Sequence, residues 1–305
     1  ILYLDYCLFI LYIMQKDKIR HHIHLHFLVF IAGFTAILGK LITNSPISIV
    51  WHRMFIALIV IFLFAVITGK KLRTSYRYIL KYSVLGFIIS LHWITFFMSI
   101  DYSNVTIALS MMSTTAFFTS FIEPLFFKRK IIAHELLLSI LVIIAIYLIL
   151  NSEFNYSEGI ILGIFSAFFA SIFSVLNGLL IKKDKAYKIS FYEFFFGVIF
   201  ISIFVIITER LDVLLIESYF TLNYLYIFIL GIVCTAYAFI AAVYLLNYVT
   251  PYTAVLAYNL EPIYGIILAL IIFGESEQMS FNFYIGLGLI LFSVFLNFYL
   301  KKYNK

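Results

Sequence analysis

Apolar residues run along this chain in ten stretches of about twenty, and that pattern limits the possible folds more than any motif. A helix needs about 20 apolar residues to cross the hydrocarbon layer of a bilayer. The stretches are 24–43, 47–68, 79–100, 104–127, 132–150, 157–180, 189–208, 222–246, 252–273 and 281–300. Turn and charge signals separate them, among them Asn44-Ser45-Pro46, Gly69-Lys70-Lys71, Lys128-Arg129-Lys130 and Gly274-Glu275-Ser276-Glu277. Barrel strands would be short and alternating; these runs are long and apolar on every face, so helices are expected. With 64% hydrophobic and 12% charged residues, the chain stands far from the half and quarter typical of soluble domains. A soluble core could not hide that surface, so lipid is the expected solvent, and disorder is excluded on the same ground. Cys7 and Cys234 lie in apolar stretches without metal-ligand spacing, so no disulfide scaffold, metal site or cofactor is expected.

The formal charge of +6 could suggest a nucleic-acid partner. Placed on the spans, it reads as topology instead. Lys16, Lys18 and Arg20 precede span 1; Lys70, Lys71, Arg73, Arg77 and Lys81 follow span 2; Lys128, Arg129 and Lys130 follow span 4. Lys182, Lys183, Lys185 and Lys188 follow span 6, and Lys301, Lys302 and Lys305 follow span 10. If the spans alternate, 18 of 21 basic residues share one side, while Asp101, Glu153, Glu158, Glu209, Asp212, Glu217, Glu275 and Glu277 fall on the other. The positive-inside rule then puts both termini in the cytoplasm. Residues 1–23 form a cytoplasmic segment, 24–150 and 157–300 the two halves, and 301–305 a tail. Residues 1–13 are too short to span and lack the features of a signal peptide. Because Met14-Gln15-Lys16-Asp17-Lys18 looks like a natural start, 1–13 are expected to be an upstream extension absent from the native product.

A shift of 146 residues superposes Asp101-Tyr102 on Asn247-Tyr248, Ala108 on Ala254, Phe127 on Phe273, Leu141 on Leu287 and Ile144 on Ile290. Each half holds five spans. An odd number makes the second half enter from the opposite face, the inverted-repeat plan of secondary transporters. The texture resembles the EamA family of the drug/metabolite transporter superfamily over residues 24–300. HFLVFIAGFTAILGKLI opens span 1, SPISIVWHRMFIA lies in span 2, and LHWITFFMSIDYSNVTIALSMMSTTAFFTSFIEPLFFKRK runs through spans 3 and 4. LLNYVTPYTAVLAYNLEPIYGIILALIIFGE looks like the family's span 8–9 signature. The halves differ where Thr115-Ala116 stands against Glu261-Pro262, so they are not equivalent in function. The resemblance implies an all-α polytopic membrane protein of ten transmembrane helices in two inverted five-helix repeats, and a secondary permease for a small metabolite.

Ionisable residues inside spans are costly unless paired or wet. Lys40 and Arg53 lie one to two turns from the outer ends of spans 1 and 2, where they could snorkel or attract an anionic solute group. Lys40 shares its face with Gly33 and Ala36, small residues that usually meet neighbouring helices. Glu123 is placed for an ion pair with Lys128. Glu193, near the cytoplasmic end of span 7, reads equally as structural or functional. Glu261 lies about 13 Å into span 9 at 1.5 Å per residue, too deep to snorkel. It is expected to be a coupling or solute-contacting carboxylate, or else a structural partner for Lys40, Arg53 or backbone freed by Pro262. Pro124 and Pro262 are read as lying within helices, and Pro46 and Pro251 as opening them.

Near mid-membrane lie His92-Trp93, Ser113-Thr114-Thr115, Tyr237 and Tyr258-Asn259. They could line a pocket for a polar-aromatic or amphiphilic solute, although Tyr and Phe number 58 together and mostly serve packing. The site set is therefore Glu261, Lys40, Arg53, Trp93, Tyr237, Glu193, Ser113 and Asn259, in a cavity bounded by spans 1 to 4 and 6 to 9. His21, His22, His24 and His26 read as interfacial histidines. Gly163, Ala167, Ser171, Ser174 and Gly178 form a small-residue seam, expected to press on span 1 or a symmetry-related neighbour. No phosphate loop, His-Glu-x-x-His or Gly-x-Ser-x-Gly pattern is present. The expectation is a non-enzymatic exporter of a small metabolite in a bacterial cytoplasmic membrane, with the proton as candidate coupling ion, as monomer or homodimer. The rivals are an intramembrane enzyme acting on lipid or peptide, and a non-transporting scaffold.

Overall fold

A backbone in lipid must satisfy its own polar groups, and every regular element among the described residues is helical. The computed structural model describes the backbone of residues 2–128, 133–208, 210–214 and 222–303, and their side chains except at 2–19, 133–136, 212, 213, 256, 298 and 301–303. In chain order the helices are α1 (Leu2–Leu41), α2 (Pro46–Ile67), α3 (Tyr76–Tyr102), α4 (Val105–Met112), α5 (Thr115–Phe127), α6 (Ala133–Ser152) and α7 (Ser157–Leu180). They continue with α8 (Ala186–Ile207), α9 (Leu222–Gly231), α10 (Ala238–Leu245), α11 (Pro251–Tyr258), α12 (Glu261–Phe273) and α13 (Phe281–Tyr303). One turn of π-helix, Ile232–Tyr237, joins α9 to α10. The expectation for residues 1–13, and the basic side chains of Lys16, Lys18, Arg129, Lys130, Lys301, Lys302 and Lys305, lie outside the described residues.

Among the described residues, seven segments are long and apolar enough to cross a membrane: Arg20–Leu41, Pro46–Ile67, Tyr76–Tyr102, Val105–Phe127, Phe154–Leu180, Ala186–Ile207 and Leu222–Leu245. Leu137–Ser152 and Phe281–Asn297 are shorter apolar helices. The ninth stretch, 252–273, is not one helix. It divides into α11 and α12 at Asn259-Leu260, which corrects the reading of Pro262 as an interior kink. Pro262 has no N–H to give the Tyr258 carbonyl, and its ring crowds that carbonyl. The helix therefore stops at Tyr258 and restarts with Pro262 in the first turn of α12, where proline costs nothing.

A matching interruption divides span 4. There the hydroxyls of Thr114 and Thr115 bond the Met111 and Met112 carbonyls, both at 2.7 Å, competing with the helical ladder. The two broken helices correspond under the shift of 146: Val105–Met112 with Pro251–Tyr258, and Thr115–Phe127 with Glu261–Phe273. Their ends correspond too, since α5 stops at Lys128 (φ 53°) and α12 at Gly274 (φ 63°), both at positive φ, although only Lys128 adopts the left-handed helical conformation.

The small-residue stripe of α7 presses on α3, α4 and α5, not on α1 as expected. A Cβ at Gly163 would stand 2.7 Å from that of Met111, and Ser99 reaches across from α3 to donate to the Gly159 carbonyl at 2.7 Å. The reason is that span 3 itself carries small residues at the crossing, so α3 and α7 can approach closely. Glu123 is likewise not paired with Lys128 among the described residues. Its carboxylate accepts from the Tyr252 N–H at the start of α11, 3.4 Å away. Large apolar side chains such as Ile67, Ile207 and Ile271 cover the outer surface, the arrangement a lipid solvent favours.

Candidate functional site

A cavity of about 180 Å³ lies among α1, α2, α3, α7, α10 and the two broken helices. Residues from spans 1 to 4, 6, 8 and 9 border it, and α8 contributes none. Both interruptions open onto it, through Met112 and Thr115 on one side and Tyr258, Asn259 and Glu261 on the other. Interrupted helices at corresponding places in two halves leave helix ends and free backbone groups beside such a cavity.

Arg53 of α2 is 1% exposed and borders the cavity. The π-turn makes its seat. Thr235 donates to the Leu230 carbonyl five residues back, at 2.7 Å, and accepts from Arg53 Nε at 2.9 Å. Arg53 Nη2 reaches the Cys234 carbonyl at 3.5 Å, and the guanidinium lies 4.1 Å over the Trp93 ring. A desolvated contact of this cation–π kind contributes about 2 kcal/mol. Nη1 keeps no hydrogen-bond partner, and no ion pair among the described residues includes Arg53. A buried cation without a counter-charge is costly.

Glu261 faces the same cavity from the first turn of α12. It is 8% exposed, and no described side chain pairs with its carboxylate. The N-terminus of α12 favours negative charge there. Gly33 sets how close α1 comes to this helix: a Cβ there would stand 3.2 Å from the Glu261 carbonyl and 3.1 Å from the Gly265 nitrogen. Arg53 and Glu261 thus share one space without pairing among the described residues, and aromatic side chains line it with them. Trp93 packs on Phe194 and Phe239 at centroid distances of 5.7 and 5.9 Å, and Phe173 and Phe239 border the cavity. His92 is held to α7 through Ser166, whose hydroxyl and carbonyl stand 2.9 and 3.0 Å from its Nδ1.

The remaining members of the sequence-based set fall elsewhere. Asn259 borders the cavity, with its Nδ2 unpartnered among the described residues. Ser113 sits at the first interruption, its buried hydroxyl likewise unpartnered, but off the cavity lining. Tyr237 points outward, 44% exposed, with its hydroxyl 2.9 Å from His24 Nε2. It is two residues beyond Thr235, about 200° around a helix. Glu193 is buried on α8, behind the wall.

Lys40 also leaves the cavity. Its Nζ lies 2.5 Å from Glu277 Oε1, and the Glu277 carboxylate also accepts the N–H groups of Thr106 (2.8 Å) and Val105 (3.3 Å). Thr106 returns a bond from its hydroxyl to the Glu277 carbonyl at 3.1 Å. One carboxylate thereby ties the end of α1 to the start of α4 and the turn after α12. The sequence places Glu277 only in a turn opposite the basic loops and gives it no partner, since its partners stand 171 and more positions away. Asn177 of α7 was also missed, although a lone amide within a span is the same kind of signal that singled out Asn259.

A sequence model of the EamA-like transporter family matches residues 22–151 and again 157–299. A protein of Clostridium kluyveri described as an uncharacterized transporter is 26% identical over 283 residues, covering 87% of this chain and 88% of its own. A solved crystal structure with 14% sequence identity superposes with a TM-score of 0.64, covering 88% of this chain and 94% of that one.

Proposed function

The chain belongs to the EamA-like transporter family, part of the drug/metabolite transporter superfamily, and from that premise we propose that it is a secondary permease that exports a small metabolite by alternating access. It is an integral membrane protein and a membrane transporter. The observation that carries the finer reading is the meeting of two corresponding interrupted helices at one cavity that holds an unpaired Arg53 and an unpaired Glu261. The solute is a small organic molecule with an anionic group, such as a carboxylate, held by Arg53. Its body packs against Trp93 and Phe239, and Glu261 contacts its polar or cationic end.

The matched segments support two repeats, 24–150 and 157–300, of five helices each and opposite orientation, ten in all. Basic loops place both termini in the cytoplasm of a bacterial cell. In that orientation the cavity extends toward the cytoplasmic ends, through Leu25, Asn177 and Leu246. The Lys40–Glu277–Thr106 tie closes the opposite end. The conformation is thus read as cytoplasm-facing, and export follows when that tie opens and the cytoplasmic ends close. The family match favours this reading over the intramembrane enzyme and the scaffold.

The test is flux. A thermal-shift screen of the purified protein against metabolite pools identifies a stabilising solute, and proteoliposomes then measure its transport. Glu261→Gln is expected to cut flux at least tenfold with no loss of folded protein. Full flux by that variant refutes the assignment of Glu261.

A further inference from the structure

Glu193 takes no part in the cavity, and its surroundings are unusual for a carboxyl group. It is 0% exposed on α8, both oxygens lack a hydrogen-bond partner among the described residues, and no ion pair there includes it. The backbone around it is tightly packed: a Cβ on Gly86 of α3 would come within 2.5 Å of the Glu193 carbonyl. An unpaired carboxylate in such a place costs several kcal/mol, so the group holds its proton here.

Its polar neighbour is Asn177 of α7, which borders the solute cavity and whose amide oxygen and nitrogen are also unpartnered. The carboxyl can accept from the amide N–H in either state, but only the protonated carboxyl can also donate to the amide oxygen, so the full edge-to-edge pair needs the proton. The adjacent Phe194 packs on Trp93 and Phe239, 5.7 and 5.0 Å between centroids. A shift of α8 therefore reaches the cavity wall.

The titratable groups on the elements around Glu193 are few. From α3 come Tyr82 and His92; from α2, His52 and Arg53; from α10, Tyr244. Tyr82 donates to Asp184 at 2.7 Å, and Asp184 pairs with Lys188 at 2.9 Å in the loop after α7. Tyr82 also stacks on Tyr192, the residue before Glu193, with centroids 5.4 Å apart, so this chain leads from beside the buried acid to the aqueous edge.

We propose that Glu193 is the proton-carrying site of the transport cycle, separate from the solute site. It keeps its proton in the cytoplasm-facing conformation and gives it to water when movement of α8 wets the carboxyl, leaving a solvated carboxylate. This rests on the reading of the chain as an alternating-access permease, but its test does not need the solute.

The probe is the proton itself. Infrared titration of the purified full chain follows the carbonyl stretch of protonated carboxyl groups, and Trp fluorescence of a Trp51→Phe background reports on Trp93. A protonated-carboxyl band persisting at neutral pH is expected in the parent and Glu261→Gln proteins, and its loss is expected when Glu193→Gln is made in the Glu261→Gln background, which removes the other buried unpaired carboxyl. A Trp93 fluorescence step is expected to follow the band. Should Glu193→Gln fold poorly, Glu193→Asp and Asn177→Ala are expected to keep the band and move its midpoint by at least half a pH unit. No such band at neutral pH in the parent, its survival in that double variant, or an unmoved midpoint in both Glu193→Asp and Asn177→Ala overturns the proposal. Absence of solute flux with these spectral results intact overturns the permease reading instead.

Discussion

Lys40 and Glu277 form an ion pair whose two ends differ in burial, and that asymmetry makes a quantitative prediction. The Lys40 side chain is 27% exposed and the Glu277 side chain 0%. Glu277→Gln removes the negative charge, after which Lys40 turns to water and the amide oxygen still accepts from Thr106. The loss is then about one charge-assisted hydrogen bond, roughly 1.5–3 kcal/mol. Lys40→Met leaves a fully buried carboxylate with two backbone donors and no cation, which costs about 3–5 kcal/mol. At about 2 °C per kcal/mol, the lysine variant should unfold roughly 6–10 °C below the parent and the glutamine variant roughly 3–6 °C below. Adding Glu277→Gln to Lys40→Met should restore part of the loss, because it removes the stranded charge. Thermal unfolding of the purified protein in detergent at neutral pH measures all three. If Glu277→Gln is the more damaging single change, or the double variant is additive, the asymmetry argument fails.

Arg53→Lys should weaken binding of the screened solute by about tenfold or more, about 1.4 kcal/mol, while Tm falls by about 4 °C or less, the share of one lost contact of about 2 kcal/mol. A lysine cannot bond Thr235 and lie flat on Trp93 at once, and unchanged affinity would remove Arg53 from the solute site. Pro262→Ala restores an N–H for the Tyr258 carbonyl; Tm should hold or rise while flux falls several-fold, and undiminished flux would show that the interruption is dispensable. Burial pushes the Asp184 carboxyl up, but hydrogen bonds from Lys188, Tyr82 and the Lys185 N–H outweigh it and hold it below the usual carboxylate value. A lowered folded value stabilises above the unfolded value of about 3.9 and loses that contribution as pH falls through the folded one. Asp184→Asn should therefore lower Tm at neutral pH, with the gap to the parent closing below about pH 4; a gap constant down to pH 3 contradicts this.

Much of the fold was legible because lipid imposes a one-dimensional rule. Long apolar runs must be helices, although the sequence reads Pro262 as lying within one helix and the structure shows it opening another. The shift of 146 could be read from a few matched residues, and the breaks at Ser113-Thr114 and Asn259-Leu260 fall on it. Cost alone singled out Arg53 and Glu261, since a charge deep in a span needs a reason. Side-chain direction was less legible. Depth in the membrane placed Tyr237 beside the cavity, whereas its position around the helix turns it to the outside. The π-turn that seats Arg53 leaves no mark in the pattern of apolar residues, because it changes the phase of the helix and not its hydrophobicity.

The sequence by itself determined where the chain crosses lipid, which loops carry the positive charge, and which few ionisable groups had to be explained. Each of these depends on composition and spacing within one segment. Only the tertiary structure decided which of those groups meet. Lys40 found Glu277, 237 positions away, and was lost to the cavity, while Arg53 found a threonine and an indole and stayed unpaired in it. Partner choice depends on the rotation and crossing of packed helices, set jointly by contacts such as Gly33 on Gly265, and no single segment encodes that.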